Sequence, residues 1–329
     1  MRKTMLNSGY PLQGWIPYKL QHNTDEVECQ WLDTFNTPYL EPFFDETITR
    51  LKGIPRPARY FNSVSKLSML ETWSGGIVDR VEPTAFIFHI SRCGSTLISQ
   101  LLGTDDQSIV LPEVPFFDDI LRLPFKMPDI HEAKVQKLLQ AAIRFYGQKR
   151  TGSEQQLFIK TDSWHIFFHG QLRKLFPHTP FILLYRTPGE VFNSHVKQRG
   201  IHTVPGLIEP QIFGFNANEV FGMDLNVYLT CVLESYFNMY LNVAAQDDLT
   251  LLVNYSEGIM PIMDRIASFI KRPFRSGHYE KMIQRAGFHS KHPGQIFSET
   301  RAGDDNPLLK KAVDLYCQTE EKRLTGFCA

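Results

Sequence analysis

Thr84 to Leu102, TAFIFHISRCGSTLISQLL, is the stretch whose reading decides the fold of this 329-residue chain. A short apolar run, Ala85 to Ile90, is rich in β-formers and meets a tight polar turn, Ser91-Arg92-Cys93-Gly94-Ser95-Thr96. An apolar-periodic segment follows, with Leu97, Leu101 and Leu102 on one helical face. The order is strand, loop, helix. Gly94 lets the backbone turn closely, and the free N–H groups and positive dipole end of the helix suit a phosphate or sulfate group. Arg92 adds a fixed charge; Ser95 and Thr96 add hydroxyl donors.

Downstream, the same alternation repeats. Ser108 to Leu111 reads as a second strand ending at Pro112-Glu113, and His131 to Tyr146 as an amphipathic helix. Leu157 to Lys160 is a strand that delivers Lys160, Thr161 and Asp162 at its end. A helical stretch over Ile166 to Phe176 precedes the strand Phe181 to Tyr185, which delivers Arg186. Thr187-Pro188 is an N-cap with proline at the first helical position, so GEVFNSHVKQR should be helical. Strands alternating with helices predict βαβ units: an α/β fold of three layers, with a mainly parallel sheet covered on both faces. In such sheets ligands sit at the carboxyl ends of the strands, where Arg92, Glu113, Lys160 to Asp162 and Arg186 all fall.

The remaining segments are expected as follows. Residues 1–80 form an aromatic, proline-punctuated N-terminal extension packed on an α/β domain of residues 81–329, with helical spacing over Glu41 to Leu51. Val114 to Pro128 is read as a loop-rich wall of a cleft. Gly200 to Gly222 lacks a period, and so long a loop in a compact domain is a candidate lid. Met223 to Ala245 and Pro261 to Ile270 read as helices, Leu249 to Asn254 as a buried strand, and Leu308 to Arg323 as the final helix.

Composition excludes some classes and leaves others. Lys plus Arg and Asp plus Glu both number 35, so net charge favours neither nucleic acid nor an anionic membrane surface as partner. The 43% hydrophobic content is that of an ordinary globular protein. Five cysteines without a C-x-x-C pair are expected as reduced thiols. The N-terminal MRKTMLNSGYPLQGW lacks a signal-peptide core, and no apolar run is long enough for a membrane span, so a cytoplasmic location is expected.

The pair FHISRCGSTLISQLL and FILLYRTPGEVFNSHVKQR resembles the sulfotransferases that use 3′-phosphoadenylyl sulfate (PAPS) as donor, over roughly residues 84–300, and most of all a bacterial branch. In that family the first loop binds the donor's 5′-phosphosulfate end, and Arg-x-Pro with a later serine binds its 3′-phosphate. The resemblance thus implies donor contacts from Arg92, Cys93, Gly94, Ser95, Thr96, Leu97, Arg186 and Ser194. Lys291, in HSKHPGQ, is carried over as a further phosphate contact. The chain departs from the pattern at Cys93, which stands where serine is usual, and lacks the C-terminal Arg-Lys-Gly signature of the eukaryotic cytosolic branch.

The resemblance implies sulfuryl transfer from PAPS as cosubstrate to a hydroxyl, or less readily an amine, of a small-molecule acceptor, with no metal. Such chemistry rests on positioning and on stabilising charge at the leaving oxygen. Arg92 and Lys160 are the candidate cations, Lys160 resembling the family's strand-end lysine. Two carboxylates compete as base. Glu113, 21 residues after Arg92, matches glutamates that act as bases in the tyrosylprotein branch. Asp162 stands where cytosolic members carry histidine. Glu113 is the first choice, on the expectation that partial burial raises its pKa toward working pH. His165 and His169 have metal-ligand spacing, but no third ligand accompanies them, and a zinc site is not expected. The rival reading is a P-loop kinase or NTPase, against which the loop lacks G-x-x-x-x-G-K-[ST]; a nucleotide-binding homologue without catalysis is a third.

Overall fold

The computed structural model describes residues 10–22, 26–55, 63–288 and 306–325. The chain starts with a small antiparallel sheet. Strands β1 (Trp15–His22) and β2 (Val27–Asp33) pair along their length, and β3 (Val64–Lys66) adds to β2. These strands escape a period-2 reading because the register slips between Pro17 and Lys19, which breaks the alternation. Helix α1 (Phe44–Gly53), with Asp45 and Glu46 in its first turn, lies between β2 and β3; α2 (Ser68–Ser74) follows.

The main body is a five-stranded, wholly parallel sheet flanked by helices. Its order is β5-β6-β4-β7-β8, with β4 (Ala85–His89) in the centre. The chain runs from β4 through α3 (Ser95–Leu102) to β5 (Ser108–Pro112) at one edge. It continues through α4 (Pro115–Leu121), α5 (Leu123–Lys126) and α6 (Glu132–Tyr146) back to β6 (Gln156–Lys160). A 3₁₀ turn over Ser163–Phe168 and α7 (His169–Leu175) then cross β4 to β7 (Phe181–Tyr185). After α8 (Pro188–Lys197), α9 (Ala217–Val220) and α10 (Leu225–Gln246), β8 (Thr250–Asn254) completes the other edge. Helices α11 (Ile259–Phe269), α12 (Ser276–Ala286) and α13 (Lys310–Thr325) end the fold. Because the chain leaves β4 toward the β5 edge and its neighbour β7 toward the β8 edge, the topological switch point lies between the carboxyl ends of β4 and β7.

Every residue of β4 and β7 is buried, as strands covered on both faces require. Two expectations are corrected, and one helix went unread. Val114 to Pro128 is not loop: Pro115 and Pro124 sit in the first turns of α4 and α5, where proline costs no hydrogen bond, and Phe116, Phe117, Ile120 and Leu121 form a buried face. Helix α12 buries little beyond His278 and Met282, too weak a stripe to read from sequence. The stretch 200–222 contains 3₁₀ turns at Ile201–Thr203 and Pro210–Phe213 besides α9. The small sheet packs on α4 and α6. Tyr146 of α6 donates to the Pro17 carbonyl, and the Leu20 N–H donates to Asp119 (3.2 Å).

Candidate functional site

The loop after β4 places Ser91 (φ 67°), Arg92 (φ 50°) and Gly94 (φ 84°) in the left-handed region. Non-glycine residues adopt it at a cost of about 1–3 kcal/mol each, and such turns aim successive N–H groups into one concavity. Gly94 precedes α3, and no side chain caps that helix. Gly94 is also sterically required, because a Cβ there would run into the Tyr255 ring. Ser95 and Thr96 are buried in the first turn, and Leu97 belongs to the apolar core. Cys93 is fully buried, its thiol 3.5 Å from the Leu184 carbonyl and its pKa pushed up to about 12 by burial. The thiol therefore faces the sheet, and only its main chain is available to the loop.

Arg92 donates through Nη2 to the Gln198 carbonyl, 2.7 Å away, just past α8. Arg186, at the end of β7, is 9% exposed. Its fork is held by Glu190, Nε to Oε2 and Nη2 to Oε1 both at 2.8 Å, and its guanidinium lies 5.1 Å from the Tyr255 ring centre. Glu190 also accepts from Thr187 (2.7 Å), so one carboxylate orients both cap and arginine. Ser194 is half-buried two turns into α8. Lys291 lies outside the described residues.

At the ends of β5 and β6, Lys160 and Glu113 meet. Lys160 is fully buried, donates through Nζ to Glu113 Oε1 and sits 5.1 Å from the Phe43 ring centre. Glu113 has φ 53°, and its N–H donates to the Lys160 carbonyl (2.7 Å). His89 Nε2 lies 3.3 Å from the same Oε1. No hydrogen bond to Oε2 is found among the described residues. Burial alone would raise the Glu113 pKa, but the Lys160 charge and the His89 hydrogen bond overturn it and hold the carboxyl well below its usual range. The rise expected from burial is thus reversed by a buried cation that sequence spacing did not pair with it.

Asp162 behaves oppositely. Burial, then the charges of Glu113 and Asp118, push its pKa well above the carboxylate range. Its neighbour His165 lies 3.7 Å from Asp162 and 3.1 Å from Asp118. The ligand atoms of Asp118, Asp162 and His165 lie within 4.8 Å of one another. Asp118 already accepts from Trp164 (2.6 Å), His165 and Arg122 (2.8 Å), so it serves as the centre of a hydrogen-bond network. His165 and His169 do not converge, since His169 bonds Asp247 (2.8 Å).

The structure therefore brings Arg92, Glu113, Lys160 and Asp162 to one end of the sheet, with Arg186 at the neighbouring strand end. The sequence reading missed three residues here. His89 was signalled only by a polar residue closing an apolar strand. Tyr255 follows β8 and lies across Gly94. His202 is buried against Trp164 (5.9 Å) and His195 (5.1 Å) between ring centres, and its pKa is held well below the usual value by burial first and then by His195.

No family model matches the chain, and no curated protein matches it in sequence. Solved structures match in fold. A sulfotransferase domain from the curacin biosynthetic pathway aligns with a TM-score of 0.50 at 16% identity, over 74% of this chain and 99% of that one. Sulfotransferase STF9 from Mycobacterium avium aligns with a TM-score of 0.47 at 14% identity, over 79% and 80%.

Proposed function

We propose that this chain, which has the sulfotransferase fold, moves a sulfuryl group from PAPS to a hydroxyl of a small-molecule acceptor. The observation that carries this reading is the arrangement at Glu113. Oε1 is held by Lys160 and His89, Oε2 has no hydrogen bond from the described residues, and the carboxylate stands beside an anion-suited loop carrying Arg92. Arg92, the loop N–H groups, Ser95 and Thr96 bind the 5′-phosphosulfate end; Arg186 and Ser194 bind the 3′-phosphate.

In the transfer the acceptor oxygen forms a bond to sulfur while the bond from sulfur to the bridging oxygen breaks. The proton of the acceptor hydroxyl passes to Glu113, and the negative charge stays on the departing phosphate. Lys160 has two anionic partners in this scheme. As charge builds on the bridging oxygen, Lys160 turns toward it, and Glu113 gains basicity as its counter-ion leaves. Asp162 is the second reading for the base, favoured by its raised pKa. No helix among the described residues is long and apolar enough to cross a membrane.

The test is calorimetric binding of 3′-phosphoadenosine 5′-phosphate without Mg²⁺. Micromolar binding, weakened about tenfold or more by Arg186→Ala and less by Ser194→Ala, is expected. Binding only of ATP with Mg²⁺ would replace the reading with a kinase or NTPase. With donor turnover as readout, Glu113→Gln should abolish transfer and Asp162→Asn should spare it; the reverse pattern assigns the base to Asp162.

A further inference from the structure

Strand β4 ends on His89, a histidine 4% exposed with all its polar atoms engaged. The Ser91 N–H donates to Nδ1 at 3.0 Å. An Nδ1 that accepts carries no proton, so the proton is on Nε2. That edge meets the Thr161 carbonyl at 3.0 Å and Glu113 Oε1 at 3.3 Å. The ring is therefore the neutral Nε2–H tautomer, assigned from its hydrogen-bond partners, and it reaches two parts of the site at once. On one side stands Ser91, a left-handed non-glycine residue that opens the anion-suited loop. On the other stands the oxygen that Lys160 also holds.

We propose that His89 is a positioning residue that ties the anion loop to the Glu113 carboxylate, holding Ser91 through Nδ1 and aiming Oε2 of Glu113 toward the acceptor through Nε2–H. An apolar side chain would fill this buried strand end without a desolvation cost; what the imidazole adds is Nδ1 accepting from Ser91 and one Nε2–H shared between the Thr161 carbonyl and Glu113. With Lys160 and His89 both on Oε1, the carboxyl plane is fixed by two donors and the second oxygen is the one left for a proton. If Lys160 turns away during transfer, His89 keeps the carboxylate in place. This inference rests on the reading of Glu113 as base and of residues 91–96 as the donor loop.

Two substitutions separate the two ends of the ring. His89→Asn retains an acceptor near Nδ1 and loses the donor to Glu113; His89→Gln retains a donor near Nε2 and loses the acceptor for Ser91. The groups that set the Glu113 titration are His89 from β4, Lys160 and Asp162 from the end of β6, Arg92 from the loop, Asp45 from α1 and His202 from the segment after α8. Sulfate release from PAPS into water measures turnover without knowledge of the acceptor. For His89→Asn, the acid limb of the pH–rate profile should rise by about one unit while affinity for 3′-phosphoadenosine 5′-phosphate stays within roughly threefold. For His89→Gln, affinity should fall about tenfold with the acid limb in place. Equal effects of the two variants on both readouts would mean that His89 only fills space, and would overturn the proposal. Two measurements need no donor. Imidazole ¹⁵N spectra of the wild type should show the Nε2–H tautomer unchanged from about pH 5 to 8, and a ring that gains a proton in that range overturns the proposal. Carboxyl ¹³C titration of Glu113 should rise in His89→Asn; if it does while the wild type neither binds nor turns over the donor, the functional reading fails and the positioning role stands.

Discussion

Two carboxylates within one site are driven in opposite directions, and the reason is which of them owns a cation. Glu113 faces the buried Lys160 ammonium, whereas the half-buried Asp162 faces Glu113 and Asp118 with no lysine or arginine bonded to it among the described residues. The consequences for stability have opposite signs. The depressed folded pKa of Glu113 adds stability above its unfolded value of about 4.3, lost as pH falls through the folded value. The raised folded pKa of Asp162 does the reverse: the folded state binds a proton the unfolded state releases, so stability is lost as pH rises above about 4. Asp162→Asn is therefore expected to raise the thermal midpoint at pH 8, with the gain vanishing toward pH 4 in a pH series of melting curves. Lys160→Met should do the opposite at neutral pH. It strands a half-buried carboxylate, at a cost of about 2–3 kcal/mol in denaturant unfolding, below the full penalty of a wholly buried pair and partly relieved by adding Glu113→Gln. Glu113, Lys160 and Asp162 were legible as strand-end residues, but their pairing was not. Sequence spacing gives the end of each strand, and only the β5-β6 register puts Pro112 opposite Lys160 and makes the next residue its neighbour.

At the scale of elements, the β4–α3 turn depends on a residue from the far edge of the sheet. Tyr255, beyond β8, lies on Gly94 and near Arg186, so the two anion-suited elements share one aromatic wall. Gly94→Ala combines a left-handed φ with a steric clash. It should cost about 2–4 kcal/mol in denaturant unfolding and weaken 3′-phosphoadenosine 5′-phosphate binding at least tenfold. Adding Tyr255→Ala should restore part of the stability and none of the φ strain; full additivity of the two changes would show that the ring does not meet the loop. The turn itself was readable, because Gly94 between an apolar strand and a periodic helix has few other roles. Its neighbour was not, because β7 and β8 are separated by three helices in the chain and joined only by the sheet.

Across the whole molecule, the segment over residues 200–222 is tied to the end of α4 by Arg122. Arg122 contacts Glu209 through Nε (2.7 Å) and Nη2 (3.1 Å), Asp118 through Nη1 (2.8 Å) and the Leu207 carbonyl (3.4 Å). Asp118 is in turn bonded to Trp164 and His165, so the segment is linked to the site through side chains rather than through the sheet. Arg122→Ala should speed limited proteolysis within 204–222 several-fold while the thermal midpoint moves by only a few degrees, as expected for loss of a local tether. Equal loss of global stability would make Arg122 part of the core.

The sequence alone determined the parallel α/β core, since buried apolar strands, a glycine turn and amphipathic helices are local patterns whose physics needs no partner. It also determined that Arg92, Glu113, Lys160, Asp162 and Arg186 stand at strand ends. Tertiary structure decided the rest. The strand order set which charges meet, Lys160 and His89 fixed Glu113 as an ionised carboxylate, and the bulged β1 and proline-started α4 formed against surfaces that no local period reveals. Electrostatic character depends on distance through space in a low-dielectric interior, and that distance is a property of the sheet rather than of the chain.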